Sequence, residues 1–106
     1  MVFFAYFPEP NKVVDATMDC TDTTVIVNWS PPEGEFTGYR VRLSPGDAKK
    51  SKMDINDVNK TRAEFSGLTP NKKYKVHVMT LSGQVESEKV TVQDTTSESI
   101  LNILNF

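Results

Sequence analysis

Cys20 and His77 are the one cysteine and the one histidine in a chain of 106 residues. Within hydrogen-bond reach of each other they would form a thiolate–imidazole pair capable of nucleophilic attack; apart, neither makes a site. A single cysteine excludes an internal disulfide and a cysteine-based zinc centre, and a single histidine excludes a His-rich metal site. Asp15, Asp19 and Asp22 fall on one extended segment and the turn after it, a spacing suited to solvation rather than to paired acid–base work. Gly34, Gly38, Gly46, Gly67 and Gly83 stand alone and compose neither a dinucleotide fingerprint nor a phosphate loop. No catalytic residue, metal or cofactor is expected. Two tripeptides carry a different chemistry: Asn28-Trp29-Ser30 and Asn59-Lys60-Thr61 are N-glycosylation acceptors. Asn59 lies in a polar connection and is the better acceptor, because Asn28 adjoins the bulky Trp29.

Composition narrows the remaining classes. Twelve Lys and Arg against 14 Asp and Glu give a net charge of -2 and a pI near 5.3, which argues against a dedicated nucleic-acid binder. No apolar run approaches the roughly 18–20 residues of a membrane-spanning helix. The apolar stretch Val2–Phe7 lacks the basic start, the length and the small-residue cleavage site of a secretory signal. The length suits one domain.

The elements that must position these residues read as strands. Val14, Ala16, Met18 and Cys20 alternate with Asp15, Thr17 and Asp19, the period of a half-buried strand with its acidic side in water. Cys20 is then a small core hydrophobe beside Met18, the alternative being a reactive thiol. Val25, Val27 and Trp29 share one face of a β-branched segment that Pro31 and Pro32 stop, since proline cannot donate to a ladder. Residues 39–43, 62–65, 74–78 and 90–93 alternate in the same way, and 48–53 suits a polar edge strand guarded by lysines. Six or seven short strands with closely spaced turns predict an antiparallel sandwich.

Three segments make the prediction specific: Val27-Asn28-Trp29-Ser30-Pro31-Pro32, Phe36-Thr37-Gly38-Tyr39-Arg40-Val41 and Leu68-Thr69-Pro70-Asn71-Lys72-Lys73-Tyr74. Their order and spacing resemble those of a fibronectin type III domain. The resemblance covers residues 10–96 and leaves an apolar extension at 1–9 and another at 97–106. It implies a seven-stranded, immunoglobulin-like antiparallel β-sandwich with Trp29, Tyr39, Leu68 and Tyr74 as core residues. Tyr74 is expected at a tyrosine corner, its hydroxyl bonded to backbone near Leu68. The implied function is a non-catalytic adhesion or spacer module of a multidomain cell-surface receptor or matrix protein, engaging a protein partner. An intracellular muscle-type structural module and an accessory domain of a carbohydrate-active enzyme are the alternatives. Neither Arg-Gly-Asp nor a Trp-Ser-x-Trp-Ser box is present.

In that topology the strands carrying Arg40 and Arg42 and carrying Lys75 and His77 are neighbours, with these side chains outward. Lys73 and Lys89 border this face, and Lys50 or Lys52 adjoins it, while Asp15, Asp19 and Glu64 belong to the other sheet. A basic face on an acidic chain predicts an acidic partner, a glycosaminoglycan or an acidic protein surface. Phe3, Phe4, Tyr6 and Phe7 at one end and Ile100, Leu101, Ile103, Leu104 and Phe106 at the other suggest packing on each other, on a neighbouring domain or on a second copy, unless they are linkers. Thr95–Glu98 would cap a short helix carrying the second group.

Overall fold

The computed structural model describes residues 9–46, 48 and 50–98. Eight strands run through them: β1 (Val14–Cys20), β2 (Val25–Ser30), β3 (Gly38–Ser44), β4 (Lys52–Ile55), β5 (Arg62–Phe65), β6 (Lys73–Ser82), β7 (Val85–Glu86) and β8 (Val90–Thr95). One sheet has the order β1-β2-β5. The other runs β4-β3-β6, with β7 and β8 both on the far side of β6, and every pairing is antiparallel. This is the expected sandwich. Its last strand is interrupted: the chain leaves the ladder between β7 and β8 and is held there by Ser87. The Ser87 N–H donates to the Thr80 carbonyl, and the Ser87 hydroxyl accepts the Thr80 N–H, both at 2.9 Å. A side-chain oxygen thus replaces a ladder carbonyl and keeps a buried amide satisfied.

The period of two sets the core. Val25, Val27 and Trp29 of β2 face Tyr39, Val41 and Leu43 of β3 and Tyr74, Val76 and Val78 of β6, all buried. Trp29 meets Tyr39 edge to face across the sandwich, with ring centroids 5.2 Å apart. The Tyr39 hydroxyl, too polar to bury alone, donates to the Val58 carbonyl at 2.9 Å. Glycine precedes Tyr39 because β4 runs too close for a side chain. A Cβ at Gly38 would collide with the Ile55 carbonyl.

Two expectations are corrected at the sheet edges. In β1 the simple alternation fails at its start: Val13 is 2% exposed and Val14 47%. The β1–β2 register slips between Val14 and Thr17, and Asp15 sits at φ 53°, in the left-handed region that Asp tolerates better than β-branched residues. The bulge turns Val14 outward and brings Val13 in. The edge strand expected over 48–53 lies instead at Lys52–Ile55, where partly buried Met53 and buried Ile55 anchor it to the core.

At the pole opposite the entry of β1, Tyr74 forms the expected corner. Its hydroxyl accepts the Thr69 N–H at 2.9 Å, beside the buried Leu68. Thr96, expected within a helix cap, is buried in this corner instead. Its hydroxyl donates to the Thr69 carbonyl at 2.6 Å and accepts the Lys72 N–H at 3.0 Å. The apolar residues at 3–7 and 100–106, with the self-association expected of them, lie outside the described residues.

Candidate interaction surface

The strand registers place the basic residues together. Directly opposed pairs share a face in an antiparallel sheet, so Lys52, Arg42, His77 and Thr91 form one line across β4, β3, β6 and β8 on the outer side. Lys73 and Lys75 continue outward along β6, and exposed Lys89 stands just before β8. Lys50 lies in the connection ahead of β4 and, with Arg42 and Lys52, borders a shallow hollow on this edge.

Arg40 points outward as expected, but its guanidinium is already engaged. Nε and Nη2 donate to the two carboxylate oxygens of Asp54 at 2.9 and 3.0 Å, and Nη1 donates to Glu86 at 2.7 Å. These contacts raise the Arg40 pKa and hold the Asp54 carboxyl below the ordinary range. Met79, opposite Arg40 in the register, is only 5% exposed although it lies on the outward side. Arg40 therefore covers the sheet and is not a free cation. Arg42 has a weaker tie, 4.0 Å to Glu86.

His77 is half-buried, and its Nδ1 lies 2.8 Å from the Thr91 hydroxyl. Burial first, then Lys89, Lys75 and Arg42, lower its pKa, because each disfavours the imidazolium. Cys20 is in the other sheet, half-buried against the core, with its thiol pKa raised by burial, then by Asp94 and Asp19. The two residues occupy unrelated environments. Among the described residues no group of three or more His, Cys, Asp and Glu could hold a metal ion.

The sequence pattern of the fibronectin type III domain matches residues 8–93. The chain belongs to the fibronectin type III family. This type III domain is 30% identical to tenascin from Gallus gallus over 73 residues, 69% of its length and 4% of the relative's. It is 24% identical to neuroglian from Drosophila melanogaster over 105 residues, 91% of its length and 8% of the relative's. It thus spans only a small part of the curated relatives it matches. A two-domain type III segment of chicken tenascin superposes with a TM-score of 0.71 at 26% identity, covering 83% of this domain and 51% of that chain.

The type III frame separates the two glycosylation acceptors. Asn59 is exposed in the turn between β4 and β5, where its N–H donates to the Asp57 carboxylate at 2.9 Å. Asn28 is half-buried on β2, the middle strand of its sheet, between Thr17 and Arg62. The acids of that sheet, Asp15, Asp19 and Glu64, are exposed, but Arg62 stands 3.7 Å from Glu64, so the face is mixed. The sequence alone missed Asp54 and Glu86 as partners of Arg40. The Met53–Ile55 alternation carried a signal for Asp54; Glu86 had none, since its position depends on the break at Ser87.

Proposed function

We propose that this domain is a non-catalytic adhesion or spacer module of a longer matrix or cell-surface protein. The observation that carries the reading is its kinship: the type III pattern spans most of the chain, and tenascin and neuroglian are among its relatives. The architecture suits the role. Two sheets share one aromatic-centred core, and the ends of the sandwich are tied by backbone bonds such as Ser97 N–H to the Thr21 carbonyl at 3.0 Å. Such a unit has its own core and needs no neighbour to bury it. What it recognises is decided by its surface residues, since this fold hosts many functions.

An antibody raised against the folded domain tests the reading on cells that produce the full-length protein. Labelling of intact cells or their surrounding matrix is the expected result. Labelling that appears only after permeabilisation would overturn it.

A further inference from the structure

The line Lys52–Arg42–His77–Thr91 crosses all four long-paired strands of the second sheet. Neighbouring strands are about 4.8 Å apart, so it measures roughly 14 Å, and Lys73 and Lys75 extend it along β6 in steps of about 7 Å. Arg42 and Lys52 are directly opposed like charges, an arrangement that weakens a sheet unless something neutralises it. The carboxylates that reach this face are committed chiefly to Arg40 and offset the line only in part, Asp54 by attracting Arg42 without a hydrogen bond to it. Asp54 and Glu86 are bonded to Arg40, and Glu86 approaches Arg42 only to 4.0 Å.

We propose that this line binds a linear sulfated polysaccharide, and that His77 takes up a proton as the polymer binds. The surface favours a polysaccharide over a folded protein. Protein interfaces centre on buried apolar or aromatic anchors. Among the described residues the exposed large apolar side chain is Val14, on the opposite sheet. The line itself offers cations and hydrogen-bond donors, which sulfate groups accept at several points along a chain.

His77 makes the site proton-linked. Arg42 faces it from β3, Lys89 and Thr91 from the β8 side, Lys75 from its own strand, and Lys52 lies beyond Arg42. In the free domain burial first, and then these cations, disfavour the imidazolium. A sulfate over the line opposes them and favours the imidazolium. Nδ1–H then donates to the Thr91 hydroxyl, leaving Nε2–H for the anion. Linkage is reciprocal, so a polymer that raises proton affinity is itself bound more tightly when His77 is protonated.

The proposal rests on the extracellular reading only in that such polymers must be accessible to the domain. Titration of the whole chain with a heparin dodecasaccharide tests it, at about pH 5.5 and about pH 8, on either side of the ordinary histidine range. Sulfate esters stay ionised throughout, and His77 is the single histidine. Wild type is expected to bind about tenfold more tightly at the lower pH, the effect of about one unit of induced pKa change. His77→Gln should remove that gain. Arg42→Gln and Lys52→Gln should each weaken binding by about tenfold, as expected for a lost charge-assisted contact, and Lys60→Gln, an equal charge change in an exposed turn, by less than about twofold. Equal losses for Lys60→Gln and Arg42→Gln would reduce the effect to net charge and overturn the site. An unchanged pH response in His77→Gln would overturn the proton uptake. Binding of polyglutamate but not heparin would overturn the polysaccharide in favour of an acidic protein. None of these failures touches the extracellular reading, which cell labelling decides separately.

Discussion

Arg40 and Asp54 form a two-pronged ion pair across β3 and β4, with N–O distances of 2.9 and 3.0 Å. The pair converts an expected recognition arginine into a structural one. It also divides the sheet face: the end near β7 is neutralised, and the end carrying Lys52, Arg42, His77 and Lys75 is not.

Asp54→Asn should therefore do two things. Losing this ion pair, with Arg40 half-buried and Asp54 at the surface, should cost about 1 kcal/mol in denaturant unfolding. Removing the carboxylate should tighten heparin binding by roughly threefold, as a screened charge on the same face. The Asp54 carboxyl is held below its ordinary pKa, chiefly by hydrogen bonds from Arg40. Its stabilising effect is thus full above the unfolded value near pH 4 and is lost as pH falls through the lower folded value. Acid unfolding curves should show wild type and Asp54→Asn converging at low pH. A difference that persists or widens there would contradict the assignment.

The bulge at Asp15 predicts opposite outcomes for adjacent valines. Val13→Ala should cost on the order of 2 kcal/mol, because it empties a buried position. Val14→Ala should stay within about 0.5 kcal/mol. Urea midpoints measure both, and a reversed order would restore the unbulged register.

Tyr74→Phe should cost about 1–2 kcal/mol, since the Thr69 N–H loses its acceptor. Heparin affinity should be unchanged, because Tyr74 faces the core. Thermal unfolding and the binding titration check the two parts.

When the chain is secreted from a glycosylating host, Asn59 should carry glycan and Asn28 should carry little. Peptide mass spectrometry reads both positions. Modification at Asn28 without Asn59 would contradict the contrast between an exposed turn and a central strand.

Much of this architecture was legible in residue order. Val25-Val27-Trp29 and Tyr39-Val41-Leu43 show their buried faces by alternation alone, and the family resemblance of the Leu68–Tyr74 segment implies the corner. Two of the misses come from register. A one-residue bulge reverses a strand's faces, so Val13 and Val14 could not be sorted without the Asp15 backbone. Likewise Arg40 and Arg42 look equivalent on β3. Only the pairing of Arg40 with Asp54, and the break that delivers Glu86, makes one a cover and leaves the other available. The hydroxyls of Ser87 and Thr96 gave no sequence signal either, because each answers an unpaired backbone group that arises in the folded chain.

Backbone amide NMR during titration with the heparin dodecasaccharide tests the central claim most directly. The account predicts shifts concentrated at Lys52, Arg42, His77, Lys75 and Thr91, with the His77 ring resonances moving toward the imidazolium form. The β1-β2-β5 sheet should stay unperturbed. Shifts centred on that sheet, or spread evenly over every exposed lysine, would contradict it.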